Sequence, residues 1–467
     1  MLETMDWVSV IPVLLAIIMA FITRNTVASL ATACIVGCAL AGKGIFGFTD
    51  LLKKSLGNED FIWVVTINMM VAVLAAYFEK SGAIQGFTAI VDRRNLKRKS
   101  IQLVTWLLGC FIFFSDSFSP LFVGGVMRNL SDKAKVSREK LAYICDSTSA
   151  PVAVFLPITS WSAYLCGLTI GIGCIANAND ATALFIKAMP FNFYAIISVI
   201  FVGLICAGIL PEFGPMRLAE KRALQEGKLL NDNAVPLMSR ELTEMKVSKD
   251  IQIRVGLNFI LPIAILLAIS IGTYYFLGST KVMEALVFVV ILMSISLLLQ
   301  GMSLLELSDT FVLGIKGAMP AIILLALAYP LNALSKEMGT ANFVINSTHS
   351  FLTPVLLPVV IFIVAAIMAF STGSSWGTFA ICMPIALPMA FAASNNEVTL
   401  LVAACFAAVE GGGVFGDHCS PVSDTTILSS MGAACDHIDH VKTQLPIALT
   451  VASICIVLYA VVGFAVA

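Results

Sequence analysis

The stretch Pro354–Ala392 reads PVLLPVVIFIVAAIMAFSTGSSWGTFAICMPIALPMAFA and carries no acidic or basic side chain. It lies within a longer run, between Glu337 and Glu397, that has no Asp, Glu, Lys or Arg. A helix needs about 20 apolar residues to cross the hydrocarbon core of a bilayer, so this run is too long for one crossing. Prolines and glycines divide it, and the polar segment STGSS interrupts its apolar pattern. The stretch therefore predicts apolar helices that enter a membrane and are broken inside it.

The composition of the whole chain agrees with this prediction. Of 467 residues, 59% are hydrophobic and 12% are charged, and the mean hydropathy is +0.95. Soluble domains carry about 25% charged residues, roughly twice this share. The net charge of −1 leaves no basic surplus that would attract nucleic acid. These values exclude a nucleic-acid binder, a disordered regulator and an ordinary cytosolic enzyme. They predict an all-α polytopic membrane protein with about 10 to 13 passes.

The N-terminus and the cysteines add two expectations. The first residues, MLETMDW, are acidic and lack the basic region of a signal peptide, so we expect the first span to be retained. The twelve cysteines lie mostly inside apolar runs and form no CxxC pair, so we expect small buried hydrophobic side chains rather than disulfides or zinc ligands. We expect a multi-pass protein of a bacterial-type inner (plasma) membrane, in contact with the lipid bilayer.

Basic residues predict the cytoplasmic side and divide the chain. Ten of the 28 Lys and Arg lie between Arg93 and Lys140, and eight more lie between Arg217 and Arg254. Both segments are expected in the cytoplasm, where membrane proteins concentrate basic residues. The mixed charges of the second segment predict a solvated helical linker. We divide the chain into a first membrane repeat (1–210), a cytoplasmic linker (211–254) and a second membrane repeat (255–467).

A re-entrant hairpin, or a pair of strongly shortened helices, is predicted in the first half. With basic segments on both sides, Ile101–Met127 must leave the cytoplasm and return to it. These residues give about 40 Å of helix at 1.5 Å per residue, which is too short for two full crossings. We expect the turn at Ser115–Pro120, which reads SDSFSP.

The two halves share an order of polar motifs. The first half has SDSFSP and later CDSTSAP (145–151), and the second has STGSSWG (371–377) and later GDHCSPVSDTT (416–426). Each half thus has a Ser-rich interruption followed by an Asp, Ser and Pro in an apolar context. Broken hydrophobic segments at matching places in two halves are typical of a transporter whose binding site lies near the bilayer midplane.

Five carboxylates lie in apolar surroundings, and each is a candidate functional group: Asp116, Asp146, Glu410, Asp417 and Asp424. A charge at the bilayer centre costs a few kcal/mol or more, so such residues are retained for a function. The alternative for each is a carboxylate at a helix end near the interface, bound to backbone N–H groups.

The chemistry of these motifs suits sodium and protons. Na⁺ prefers oxygen ligands, which carboxylates, hydroxyls and the carbonyls of a broken helix supply. A buried Asp that holds either a proton or Na⁺ is sufficient for exchange. The predicted Na⁺ ligands are Asp146, Asp417 and Asp424. The groups expected to complete the ion or substrate site are Ser147, Thr148, Ser149, Ser371, Thr372, Ser374, Ser375, His418, Ser420, Ser423, Thr425 and Thr426.

Two further features have competing interpretations. Residues 436–440 read DHIDH, and His437 and His440 invite a metal site, which would make a membrane metalloenzyme the alternative class. The segment lacks an HExxH motif and has no Cys or His cluster elsewhere to complete a site, so we favour a polar connection before the last span. Trp161 and Trp376 each close a Ser-rich motif and either wall a substrate cavity or pack near an interface.

The string GDHCSPVSDTTILSSMGAACDHIDHVKTQLP (416–446) resembles the signature of the NhaC family of Na⁺/H⁺ antiporters. Segments 123–161 and 371–386 are similar to that family as well, so the resemblance covers both halves. This family belongs to the ion transporter superfamily. The resemblance implies two inverted repeats, each with a re-entrant helical hairpin and a discontinuous transmembrane helix, in a homodimer.

The resemblance also implies positions for the site. They are Asp146–Ser149 in the first broken helix, Asp417, His418, Ser420, Asp424 and Thr425 in the second, and hairpin tips at Ser115–Ser119 and Ser371–Ser375.

Family resemblance leaves the cargo open. Similar proteins exchange Na⁺ for H⁺ alone or couple Na⁺ to an organic acid or amino acid, such as malate and lactate. No membrane-embedded Arg is evident in the sequence to pair with a dianion. We therefore expect a secondary active transporter that exchanges Na⁺ for H⁺ through a shared buried carboxylate site, with no cofactor. The alternative is a Na⁺-coupled transporter or exchanger of a small organic acid or amino acid.

Overall fold

The computed structural model of this protein describes residues 7–23, 25–92, 97–113, 116–157, 159–237, 247–277, 281–340, 343 and 353–466. Within these residues the chain is helical and forms no β-strand, as predicted. A single isolated antiparallel bridge joins Pro236 to Asp436. Ser115, at the start of the first predicted hairpin tip, lies outside the described residues.

The helices of the first half are short, and most are separated by turns of a few residues. They are α1 (Ile11–Thr23), α2 (Thr26–Leu40), α3 (Gly44–Leu56), α4 (Glu59–Lys80), α5 (Ala83–Asp92), α6 (Arg98–Phe111), α7 (Phe118–Lys133), α8 (Arg138–Ser147), α9 (Ala150–Phe155), α10 (Ser160–Thr169), α11 (Ala178–Ala188) and α12 (Phe193–Ala207).

The linker contributes one helix, and the helices of the second half are longer. They are α13 (Gly214–Gln225) in the linker, then α14 (Leu261–Leu277), α15 (Val282–Leu299), α16 (Leu304–Glu337), α17 (Leu357–Thr372), α18 (Ser375–Ala393), α19 (Leu400–Cys419), α20 (Asp424–Gly432) and α21 (His437–Val466).

Six of the described helices are long and apolar enough to cross a membrane. Two further pairs pass the same test only together, because each is bent: Ala178–Phe191 with Phe193–Ala207 by 46°, and Leu304–Met319 with Ile322–Ser335 by 41°. The described residues therefore contain six to eight full-length spans, below the 10 to 13 passes expected from the sequence. The difference arises because several apolar segments form helices shorter than a full crossing.

Helix α19 is the most enclosed of the spans. Every residue from Leu401 to Cys419 is buried. Glycines allow α17 to approach it closely: a Cβ on Gly412 would lie 2.4 Å from the carbonyl oxygen of Phe362, and a Cβ on Gly416 would lie 2.2 Å from the backbone nitrogen of Phe370. The polar side chains of α19 therefore face protein rather than lipid.

The cysteines are as expected from the sequence. All twelve are free thiols, and nine of them are buried.

The linker is helical over α13, and most of its described residues are accessible to solvent. Three of its charged side chains nevertheless pair with buried groups of the first half. Arg222 binds the Glu139 carboxylate at 2.7 and 2.9 Å, and Lys140 contacts both Glu212 and Glu220. Glu139, Lys140 and Glu220 are each at most 3% exposed. The linker is therefore docked onto the start of α8.

Candidate functional site

Both predicted broken helices are present. Helix α8 ends at Ser147 and α9 begins at Ala150, and we call the residues between them, Thr148 and Ser149, the first break. Helix α19 ends at Cys419 and α20 begins at Asp424, and we call Ser420–Ser423 the second break. Pro151 follows the first break, and Pro421 lies within the second. A proline cannot donate a backbone hydrogen bond.

The two breaks lie against each other, although they are far apart in sequence. The Oγ of Ser147 lies 2.9 Å from Nε2 of His418. Gln444 on α21 joins the same two segments, because its Nε2 donates to Oδ2 of Asp146 at 2.7 Å and to the carbonyl oxygen of His418. Asp146, Ser147, His418 and Gln444 are all essentially inaccessible to solvent. The structure thus brings together the Asp of the first motif and the end of α19.

Asp417 is held by hydroxyl groups from two directions. Ser423 of the second break donates to its Oδ1 at 2.5 Å. Ser375, at the start of α18, donates to its Oδ2 at 3.3 Å. The second hairpin tip also touches the second break directly, because a Cβ on Gly373 would lie 2.5 Å from the carbonyl oxygen of Val422. Gly373 has φ +65°, which allows this tight turn between α17 and α18.

Four of the five predicted carboxylates lie in one region, which we call the carboxylate cluster, because Asp424, Asp116 and Asp146 are the charged neighbours of Asp417. In this conformation no three of these carboxylates are close enough to hold one metal ion among the described residues. In this cluster, Oδ1 of Asp146 is buried and has no hydrogen-bond partner in the described part of the chain. Buried polar atoms are almost always satisfied, so an orphaned carboxylate oxygen indicates a place for a proton or a cation.

Asp116 belongs to the first hairpin tip. Helix α6 ends at Phe111 and α7 begins at Phe118, and the two helices contact each other, as a hairpin requires. The backbone N–H of Ser117 donates to Oδ1 of Asp116 at 3.0 Å. Asp116 also lies beside Trp161. Both hairpin tips therefore reach the carboxylate cluster.

Several predicted hydroxyl groups are used locally. Thr148, Ser149 and Thr372 each donate to a backbone carbonyl three or four residues earlier. Ser374 accepts from a backbone N–H in the first turn of α18, as a helix cap. Ser371 is buried at the end of α17. The hydroxyl groups of Thr148, Ser149 and Thr372 therefore bind the backbone, and that of Ser374 caps a helix.

The remaining hydroxyl groups connect the second break to its surroundings. Ser420 donates to the carbonyl oxygen of Phe370 at 2.7 Å, which ties the break to α17. Thr426 donates to the carbonyl oxygen of Asp417 at 2.9 Å, and the Oγ1 of Thr425 lies 3.1 Å from Oγ of Ser423.

Glu410 lies apart from the cluster. It is buried on α19, and its Oε2 accepts from Nδ2 of Asn192 at 3.2 Å.

The prediction of a polar connection at DHIDH is wrong. His437 and His440 are 2% and 0% exposed, and His437 begins α21. Their Nδ1 atoms lie 3.1 and 2.8 Å from the same hydroxyl, that of Ser430. Nε2 of His437 lies 2.9 Å from the carbonyl oxygen of Pro421, and Nε2 of His440 lies 2.7 Å from Oε1 of Gln444. The two imidazoles therefore connect the second break to the groups around Asp146. No group of three or more His, Cys, Asp or Glu that could hold a metal ion occurs among the described residues.

Gln444 and Tyr194 also contact the site, but they were not predicted from the sequence. The hydroxyl of Tyr194 lies 2.9 Å from Nδ1 of His418. A signal existed for Gln444, because residues 437, 440 and 444 have the i, i+3, i+7 spacing of one helix face. Tyr194 lies in an apolar run that carries no such signal.

The two tryptophans pack against each other. The ring centroids of Trp161 and Trp376 are 5.0 Å apart, and those of Tyr164 and Trp376 are 4.7 Å apart. Trp161 is buried, so these rings pack inside the protein, beside Asp116.

Broken helices that meet inside a multi-pass membrane protein, with carboxylates at the breaks, define a secondary transporter. The Na⁺/H⁺ antiporter family model matches residues 152–464. The chain belongs to this family, which is a family of transporters and not of enzymes. The prediction from the motifs at 123–161, 371–386 and 416–446 is confirmed.

Three relatives illustrate the range of this similarity. A Haemophilus influenzae protein described only as uncharacterized is 35% identical over 98% of this chain and 91% of its own length. The malate-2H⁺/Na⁺-lactate antiporter of Bacillus subtilis is 27% identical over 46% of this chain and 45% of its own length. The arginine/ornithine antiporter ArcD of Halobacterium salinarum is 31% identical over 33% of this chain and 30% of its own length.

Proposed function

We propose that this protein exchanges Na⁺ for H⁺ across the membrane through the carboxylate cluster at the two breaks. The observation that supports this proposal is the contact between the breaks, in which Gln444 bridges Asp146 and the backbone of His418. This contact supports a site shared by both halves, because it joins Asp146 of the first half to the residue that follows Asp417 in the second.

Competition between Na⁺ and H⁺ for the carboxylate cluster explains the proposed exchange. Like charges in a buried site repel, so Asp146, Asp417 and Asp424 are not ionised together without a compensating cation. Na⁺ provides that compensation when the site faces one side of the membrane. One proton replaces it when the site faces the other side, and Na⁺ is released.

The proposed ligands of Na⁺ are Asp146, Asp417 and Asp424, which share one ion only after the two breaks come closer together than in this conformation. The orphaned Oδ1 of Asp146 supports this assignment, because it is a hard oxygen donor without a partner. Ser423 and Ser375 hold the Asp417 carboxylate in place.

We also infer that residues 1–210 and 255–467 are inverted repeats joined by the linker 211–254, and that the protein is a homodimer in the inner membrane. Each half contributes one broken helix and one hairpin tip to the cluster, which supports the repeat.

A second candidate is Na⁺-coupled transport or exchange of a small organic acid or amino acid. The names of the Bacillus and Halobacterium relatives favour it. The N-terminus of α18 lies beside the cluster at Ser375, and backbone N–H groups of a helix N-terminus bind carboxylates.

The test uses proteoliposomes with an internal pH dye and a preset pH gradient. Na⁺ is added without any organic solute. We expect prompt dissipation of the gradient, and its loss in Asp424→Asn with the protein still inserted, because an amide neither compensates Na⁺ nor releases a proton. Asp50→Asn, at an exposed position, is the matched control. No response in folded wild-type protein would contradict Na⁺/H⁺ exchange and favour the second candidate.

A further inference from the structure

Glu410 is a buried carboxyl group without a charged partner. It is 1% exposed, and no salt bridge reaches it in the described part of the chain. Its Oε2 accepts one hydrogen bond, from Asn192, and its Oε1 has no partner among the described residues. An isolated ionised carboxylate in apolar surroundings is very costly, so the group is neutral in this conformation.

Among the described residues around Glu410, none carries a charge that would balance an ionised carboxylate. Tyr459 of α21 faces it, but its hydroxyl is directed to backbone carbonyl groups at 2.9 Å. The thiol of Cys166 on α10 faces it as well. Helix α17 has no charged side chain, and Lys187 of α11 is exposed. A proton is therefore the simplest counterpart of this carboxylate.

The position of Glu410 connects it to the transport site. Seven residues separate it from Asp417, so it lies about 10 Å away along α19 on nearly the same face of the helix. Its partner Asn192 is the residue at the 46° bend between Ala178–Phe191 and α12. Oδ1 of Asn192 also accepts from the backbone N–H of Ala195, in the first turn of α12. Glu410 is therefore hydrogen-bonded to the residue at which a span bends.

A purely structural role does not require an acid here. A glutamine would have the same shape and would accept the same hydrogen bond from Asn192, without the cost of a buried charge. We propose that Glu410 is a second proton-binding group of the transport cycle, separate from the Na⁺ site. It takes a proton from one side of the membrane and releases it on the other, which adds one H⁺ to each cycle. This inference rests on the proposed Na⁺/H⁺ exchange.

The first test is the ratio of protons to Na⁺ in proteoliposomes held at zero voltage with valinomycin and equal K⁺. For a tenfold Na⁺ gradient, one proton per Na⁺ is balanced by about 1 pH unit and two protons by about 0.5 pH unit, because a tenfold ratio of either ion is worth about 1.4 kcal/mol. We expect the pH gradient that stops net flux to rise from about 0.5 unit in the wild type to about 1 unit in Glu410→Gln.

Glu397→Gln is the matched control, because Glu397 is an exposed glutamate just before α19. It is expected to keep the wild-type ratio. An unchanged ratio in Glu410→Gln would overturn the proposal. Loss of ²²Na⁺/Na⁺ exchange in Glu410→Gln would also overturn it, by placing Glu410 in the Na⁺ site.

A second test detects the proton directly and needs no transport. Infrared difference spectra of the wild type between acidic and alkaline pH are expected to contain a protonated-carboxyl band that is absent in Glu410→Gln and displaced in Glu410→Asp. If the wild type shows no Na⁺-driven proton flux, the proposed function fails and this band alone decides the role of Glu410. A band that changes with pH and depends on Glu410 supports a proton site, and its absence overturns one.

Discussion

At the scale of single residues, neighbours in the sequence have different roles in the site. Ser374 and Ser375 are adjacent at the second hairpin tip, and both are predicted site residues. Ser374 caps α18, whereas Ser375 donates to the Asp417 carboxylate. The direction of each side chain decides its role, and a helix start turns successive residues about 100° apart.

This difference gives a paired test. Ser375→Ala removes a hydroxyl that holds Asp417, and we expect the KM for Na⁺ to rise about fivefold, as for a loss of about 1 kcal/mol. Ser374→Ala removes only a helix cap, so it is expected to lower the unfolding temperature and leave the KM for Na⁺ unchanged. Na⁺-dependent proton flux at several Na⁺ concentrations measures both variants. Equal changes of KM in the two variants would contradict the assignment of Ser375.

At the scale of elements, the first turns of α21 contact α20, the second break and Asp146. His437 and His440 share the Ser430 hydroxyl of α20, and Gln444 continues the connection to Asp146. These three residues lie on one face of α21, and that face is turned towards α20 and the two breaks. The first turns of the last span are therefore part of the binding region.

His437→Ala tests this position of α21. The substitution leaves the carbonyl oxygen of Pro421 without its buried partner, and an unsatisfied buried group costs about 1–3 kcal/mol. We expect a lower unfolding temperature in detergent and reduced Na⁺-driven flux. Ser453→Ala, which removes an exposed hydroxyl of the same helix, is the control and is expected to match the wild type. Wild-type stability and flux in His437→Ala would restore the interpretation of DHIDH as a simple polar connection.

At the scale of the whole molecule, the linker contacts the first half through ion pairs and the second half through a backbone hydrogen bond. Burial raises the pKa of Glu212, but the charge and hydrogen bond of Lys140, together with a backbone hydrogen bond and the charge of Arg98, hold that pKa below its ordinary value of 4.5. Elsewhere in the linker, the backbone N–H of Leu237 donates to the carbonyl oxygen of Cys435 at 3.2 Å, just before α21. The linker thus contacts α8 in the first half and the start of α21 in the second.

The contribution of Glu212 depends on pH in a defined direction. Because its pKa is lower in the folded protein, ionised Glu212 stabilises the fold above pH 4.5, and this contribution is lost as the pH falls through the folded pKa. We expect Glu212→Gln to have a lower unfolding temperature than the wild type at neutral pH. The difference is expected to shrink below pH 4.5. A difference that stays constant with pH would contradict the pairing with Lys140.

The class of the protein and the places where its helices break could be predicted from the sequence alone. Uncharged apolar runs and the prolines after Asp146 and Asp417 are local signals, because their effect on the backbone does not depend on distant parts of the fold. The motif GDHCSPVSDTT also identified the family, which the match over residues 152–464 confirms.

The polar groups that share the site, and the number of apolar helices that reach full span length, became evident only from the packing of the helices. Gln444 meets Asp146 across nearly 300 residues, and Arg222 of a linker expected to be solvated meets Glu139. Such pairs form because a buried polar group must find a partner, and the partner is whichever group packing places within reach. Packing between distant helices has no signature in local composition, so these contacts could not be predicted from the sequence.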